Sequence, residues 1–217
     1  MVDNFKKLWS LLDISYDYFI RTTDEKHIVF VQKVWEILLK KNDIYKADYQ
    51  GWYCTPCETF WPANQVENAL CPDCQRPLEL LSEKNFFFKL SSYQDWLIDY
   101  IKKHTDFVKP ISRYQEVMSF LLNNKLSDLC ISRPSQRLEW GIAVPFAQGH
   151  VTYVWFDALL NYISAVGYFD ENDRYISDCW PADIHLIGKD ILRQHAIYWP
   201  IILHALGIEP PKTIFAH

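Results

Sequence analysis

"DIHLIGKDILRQHAIYWPIILHALG" (residues 183–207) and "TIFAH" (213–217) decide the fold of this chain. The first six residues form a short apolar run that stops at Gly188. A helical pattern then runs from Lys189 to Leu206 and closes at Gly207, and a second apolar run follows. Strand, short turn, helix and strand again predict a parallel α/β sheet. Ligands of such sheets bind in the crevice beyond the carboxyl ends of the strands. The turn at Gly188 is therefore the first candidate site. Glycine there lets a ligand come close to the backbone, and Lys189 and Asp190 open a helix whose amino end carries partial positive charge. Ile191, His195 and Trp199 follow at helical spacing on one face. A lone histidine on such a face also reads as a satisfied core residue.

Upstream, "HVTYVWFDALLNYISAVGY" (150–168) has the same texture. The β-branched and aromatic residues up to Phe156 predict another strand, and a helix follows to Gly167. Asp157 then stands at the junction, where its bland role is an N-cap. Trp155, Ala158, Leu159 and Tyr162 share one side of the turn and helix. They read either as core or as the wall of an apolar pocket with one polar handle. If both turns open on one crevice, Tyr162 and His195 flank a single cavity.

The middle of the chain differs. "CTPCETFWPANQVENALCPDC" (54–74) holds two C-x-x-C pairs with thirteen residues between them. Four thiolates in two tight turns suit tetrahedral zinc with no open position, so Cys54, Cys57, Cys71 and Cys74 predict one structural zinc. Trp52, Phe60 and Trp61 beside them either pack on the knuckle or stack on nucleotide bases. Before the knuckle, "RTTDEKHIVFVQKVWEILLKKN" (21–42) reads as a helix with Ile28, Val31, Trp35 and Leu38 inward and a Thr22–Glu25 capping box. Tyr45, Ala47 and Tyr49 alternate as a strand does. "FFFKLSSYQDWLIDYIKKH" reads as strand then helix, and residues 114–123 as another helix.

Composition narrows the classes. With 217 residues, 49% of them apolar, the chain can bury a substantial core. A formal charge of −5 gives no global electrostatic reason for a nucleic-acid partner. Residues 1–10 lack a secretory apolar stretch, and the run from Ala196 to Leu206 is interrupted by Pro200 and His204, too short to span a bilayer. Paired cysteines suited to metal fit a reducing compartment, and a cytoplasmic location is expected.

Taken together, "ISYDYFIRTTDEKH", "GWYCTPCETF", "CPDC", "FFFKLSSY", "ISRPSQRLEWGIAVP", "YVWFDALLNYISA", "HLIGKDILRQHAIYWP" and "TIFAH" resemble the methionyl-tRNA synthetases, class I aminoacyl-tRNA ligases, in the family's own order. The resemblance implies a parallel Rossmann-type catalytic fold split by an inserted zinc-knuckle connective domain. Residues 1–42 would end the first half of the fold, 43–129 would form the insertion, and 130–217 would form the second half. Trp155, Ala158, Tyr162, Ile191, His195 and Trp199 match positions lining the methionine pocket. Gly188 and Asp190 match positions that hold the adenylate, and Arg133 matches an active-site arginine. The implied substrates are methionine, ATP with Mg and tRNA, with no membrane partner. In the family the HIGH motif lies upstream of the segment where this sequence begins and the KMSKS loop downstream of His217, so the isolated chain is expected not to form methionyl-adenylate. Gln194 stands where the family usually has Phe. Two rival readings are a ligase for isoleucine, valine or leucine, and a non-catalytic zinc-knuckle module that binds tRNA or protein.

Overall fold

The structure, a computed structural model, describes residues 2–57, 59–61, 65–136 and 140–217, with backbone only for Tyr49, Gln50, Thr59, Phe60 and Glu83. Helix α1 (Val2–Leu11) is followed by α2 (Glu25–Lys40). The predicted capping box does not form: Glu25 is the first helical residue rather than the third. The Asp24 carboxylate instead accepts the Arg21 backbone N–H at 2.9 Å. The inward stripe holds, with Val31, Trp35 and Leu38 fully buried and Ile28 half-buried against them. Trp35 pins the core. Its indole N–H donates to Thr152 Oγ1 at 3.0 Å, and its ring meets Phe86 and Phe156 edge-on at 5.9 and 5.4 Å. Burying that ring and satisfying its one donor ties three segments together.

Strands β1 (Ile44–Cys54), β2 (Thr59–Trp61) and β3 (Glu79–Phe88) follow, then α3 (Gln94–Lys103), β4 (Val108–Lys109), α4 (Ile111–Asn123) and β5 (Leu129–Cys130). β1 and β3 pair antiparallel from Ile44↔Phe88 to Tyr53↔Glu79, and the sheet order is β2-β1-β3-β5. This long two-stranded ladder carries the cysteine knuckle at its far end. There Cys54, Cys71 and Leu78 are buried, and Trp52 and Trp61 pack on them. The packing reading of those two tryptophans is the observed one. The Phe60 side chain and residues 137–139 of the "ISRPSQRLEWGIAVP" motif lie outside the described residues.

Next come β6 (Ser132–Pro134), β7 (His150–Thr152), α5 (Val154–Val166), β8 (Tyr168–Phe169), β9 (Tyr175–Ile176), β10 (Ile184–Ile187), α6 (Trp199–Leu206) and β11 (Thr213–Ala216). Strands β10 and β11 pair in parallel, Ile184↔Thr213 to Ile187↔Ala216, as the strand–helix–strand reading requires. A third parallel strand is β4, paired with β11 and drawn from within the 43–129 span. Alternation along β10 turns His185 and Ile187 inward and leaves Ile184 and Leu186 exposed.

One expected strand is corrected. The run from His150 to Phe156 does not join the parallel sheet. Only His150–Thr152 is extended, paired antiparallel with Ser132–Pro134, and helix α5 begins at Val154 with Tyr153 at the N-cap. The reason is periodicity. Phe156, Leu159, Leu160 and Ile163 are buried at i, i+3, i+4 and i+7, a helical stripe that overrides the β propensity of Val154, Trp155 and Phe156.

Candidate functional site

The two turns converge. From Gly188 the backbone makes a 3-10 turn (Lys189–Ile191) and then a π-helical turn (Gln194–Tyr198) before α6. π-turns inside helices recur at functional sites because the extra residue re-aims side chains. Here the turn brings His195 Nε2 to 2.9 Å from Tyr162 Oη of α5. His195 Nδ1 is 2.9 Å from the Ile191 carbonyl, which can only accept, so the ring proton sits on Nδ1 and Nε2 accepts from the Tyr162 hydroxyl. Burial holds His195 below its ordinary pKa and Tyr162 above its own, which keeps both in the neutral forms this bond needs.

Trp199 lies fully buried, 5.9 Å ring to ring from Tyr162. The structure thus joins Tyr162, Ile191, His195 and Trp199. Ala158 and Trp155 lie one and two turns back along α5, half-buried beside the core stripe. Gly188 and Asp190 are exposed at the carboxyl end of β10. A methyl group added at Gly188 would fall 2.5 Å from Asp190 Oδ1, so the carboxylate folds across the bare glycine. Gly188 has an ordinary extended backbone, so glycine serves space here rather than an unusual φ.

Arg133 stands apart from this group, on the β6–β7 ribbon that leads into α5. It is buried between the rings of Tyr53 (5.1 Å) and Tyr153 (4.6 Å), with Nη1 3.3 Å from Cys130 Sγ. An arginine sandwiched between aromatic faces keeps its charge and loses its mobility.

Two elements of the site were not foreseen. Asp157 does not cap α5. It lies in the first turn, and its carboxylate accepts from His27 Nε2 of α2 at 2.6 Å; His27 Nδ1 is 2.7 Å from Ser164 Oγ. Asp157 and Ser164 are two turns apart, so one fully buried imidazole straps the helix that carries Tyr162. The other is His185, whose ring rests 4.0 Å from Tyr162 and 5.8 Å from Trp180. Inside an apolar run a histidine at an inward strand position was the available signal. Burial, then the neighbouring His195, push the His185 pKa down to about 4.

These shifts make the core acid-sensitive. Folded His185 resists a proton that the unfolded chain takes up near pH 6.5, so stability holds above that value and falls as pH drops toward about 4. Urea midpoints measured between pH 7 and 4 should show this limb, and His185→Phe should flatten it.

The four knuckle sulfurs all lie within 4.8 Å of one another, with Cys54–Cys74 at 3.4 Å and Cys57–Cys71 at 4.0 Å. A tetrahedral ion with sulfurs about 2.3 Å away sets sulfur–sulfur edges of about 3.8 Å, so the cluster fits a metal ion. The Arg76 backbone N–H holds Cys74 down to about 7, whereas burial pushes Cys54 up and the Cys74 side chain pushes Cys57 up, so without a metal the four sulfurs do not share one protonation state. No helix among the described residues is long and apolar enough to cross a membrane.

Comparison with known proteins agrees with this arrangement. The chain is 54% identical over its full 217 residues to methionine–tRNA ligase of Clostridium tetani, and 47% identical over 221 aligned positions to that of Thermotoga maritima. It spans about a third of these relatives' length, 34% in each case. A Mycobacterium tuberculosis methionyl-tRNA synthetase bound by methionyl-adenylate superposes with a TM-score of 0.90 at 40% identity, over 99% of this chain and 43% of that one. The apo form of the same enzyme gives 0.88. The family model for class I (M) tRNA synthetases matches residues 1–80 and 76–217, and the chain belongs to that family.

Proposed function

We propose that this chain forms the amino-acid pocket and adenylate turn of a methionine–tRNA ligase. The reaction has two steps. The methionine carboxylate attacks the α-phosphorus of ATP, pyrophosphate leaves, and the tRNA terminal hydroxyl then attacks the activated carbonyl. Side chains do little covalent work in such a scheme; positioning and electrostatics carry the rate. The observation that supports the reading best is the Tyr162–His195 hydrogen bond, which brings two separate helices to one spot beside the turn at Gly188.

In this reading Trp155, Ala158, Tyr162, Ile191, His195 and Trp199 hold the methionine side chain. Aromatic and aliphatic walls suit a polarizable thioether. Gly188 and Asp190 take the adenylate ribose: the bare glycine lets the sugar approach, and the carboxylate accepts its hydroxyl hydrogens. Arg133, held between two tyrosines on the ribbon that leads into α5, is assigned as the active-site arginine by its match to the family's position. Mg accompanies ATP as substrate. Cys54, Cys57, Cys71 and Cys74 hold one zinc with a purely structural role, ordering the knuckle at the tip of the β1–β3 ladder. Cysteines unbridged by disulfides and suited to metal fit a reducing, cytoplasmic compartment. The 43–129 span is assigned as the connective insertion, with β4 shared with the catalytic sheet.

Tyr162→Phe in the protein carrying this chain tests the pocket. It removes one hydroxyl and leaves His195 Nε2 buried without a donor, which costs the folded protein about 1–3 kcal/mol and loosens the ring that faces the pocket. Methionine-dependent ATP–pyrophosphate exchange should show KM for methionine raised roughly tenfold and KM for ATP little changed. An unchanged methionine KM, or exchange indifferent to methionine, defeats the assignment.

A further inference from the structure

His185 is the residue the proposed reaction leaves unused. It is only 4% exposed, yet neither ring nitrogen has a hydrogen-bond partner among the described residues. The adjacent Trp199, fully buried, has an indole N–H in the same condition. The two residues flank one ring. His185 lies 4.0 Å and Trp199 5.9 Å from Tyr162, and Trp180 touches both at 5.8 and 6.2 Å. Trp180 itself is satisfied, donating its indole N–H to the Glu209 carbonyl at 2.7 Å.

Leucine or phenylalanine would fill the inward position on β10 without stranding polar atoms. Buried groups that stay unbonded in one state of a protein call for a partner in another. At neutral pH the His185 ring is uncharged, because burial and the nearby His195 oppose a proton, so it offers one N–H and one bare nitrogen. The cage thus holds two unspent N–H donors, an imidazole and an indole, in otherwise aromatic surroundings. A side chain suited to these surroundings is apolar and carries a soft acceptor.

Resting on the amino-acid-pocket reading above, we propose that His185 is a specificity-determining residue of this site. With Trp199 Nε1 it supplies the hydrogen-bond donors that favour a thioether side chain over a hydrocarbon of equal length. Thioether sulfur accepts a hydrogen bond, if weakly, and an all-carbon chain leaves both donors stranded. A site with donors to satisfy rejects the analogue that lacks the acceptor.

The test compares methionine with norleucine in ATP–pyrophosphate exchange by the protein carrying this chain. His185→Phe keeps an aromatic ring and removes the donor. It should lower kcat/KM for methionine about tenfold while changing norleucine less than about twofold, so that discrimination collapses. His185→Asn, which restores an N–H, should recover part of the ratio and guards against a folding defect in the first variant; thermal melts of both report on folding. Equal losses for the two amino acids would mean that the ring is only scaffolding, and an unchanged ratio in both variants would overturn the proposal outright. A structure with methionine bound in which an ordered water takes the His185 proton also overturns it. Wild-type protein that exchanges with another amino acid and not with methionine sinks the pocket reading itself and takes this proposal with it.

Discussion

Replacing Cys54 with serine should strip the metal from the knuckle and unfold the tip of the β1–β3 ladder while leaving the rest of the chain folded. Among the described residues the local core there is small: Cys54, Cys71 and Leu78 are buried, two of them proposed ligands, with two tryptophans leaning on them. Such a cluster cannot offset the entropy of ordering some twenty residues. Metal binding can, because a structural zinc contributes about 10–16 kcal/mol in small domains. Serine removes a thiolate and leaves three ligands and a hole. Among the described residues the main core shares no buried residue with this cluster and holds Trp35, Phe88, Phe156 and Trp199. Elemental analysis should find one zinc per chain in the native protein and a small fraction of that in the variant. Proteolysis should then cut between residues 54 and 78 first. Chelation of the native protein at neutral pH should reproduce the pattern and lowered pH should mimic it, because protons compete for the thiolates. Zinc retained in the Cys54→Ser protein, or a single cooperative loss of both regions, would contradict this account.

The knuckle was the most legible part of the sequence because its information is local. Spacing, residue type and turn chemistry sit within 21 residues, and the coordinates bring the four sulfurs together as that spacing implies. The parallel pair β10–β11 was legible for a similar reason, since Gly188 and Gly207 punctuate it sharply. Three features were not. The β-branched and aromatic run before Asp157 has strand composition, and only the burial of Phe156, Leu159, Leu160 and Ile163 against α2 makes it helical. The His27–Asp157 contact spans 130 residues, and no local pattern encodes a pair so far apart. His185 stood out only as a histidine at an inward position of an apolar strand, and its unbonded ring is visible in the fold alone. Tyr162 and His195 fall between these cases. Their helices could be read, but their meeting depends on the π-turn at Gln194–Tyr198, which no residue pattern announces.

Asp157→Ala should destabilise the protein by about 3–5 kcal/mol, far more than its exposed carboxylates contribute, because it removes one half of a buried polar pair. His27 is fully buried and Asp157 nearly so, at 2.6 Å. After the substitution fully buried His27 Nε2 loses its acceptor. Asp157→Asn should cost much less, since the amide oxygen still accepts from the same N–H. The double variant His27→Leu, Asp157→Leu removes both polar partners, and replacing a buried pair by apolar residues of similar volume is often close to neutral. Urea midpoints of the four proteins form a cycle whose coupling should approach the single-variant cost. The strap also has a functional consequence. Asp157 precedes Ala158, and Ser164 lies two residues past Tyr162, so His27 fixes α5 on both sides of Ala158 and Tyr162. On the amino-acid-pocket reading, the apolar double variant of the protein carrying this chain, folded as stably as the native one, should still bind methionine more weakly. Leucines pack α5 against α2 without the two directional bonds that set its rotation, and a shift of about 1 Å at Tyr162 is enough to lose the hydrogen bond to His195. Native methionine affinity in that variant would show that the strap serves stability alone.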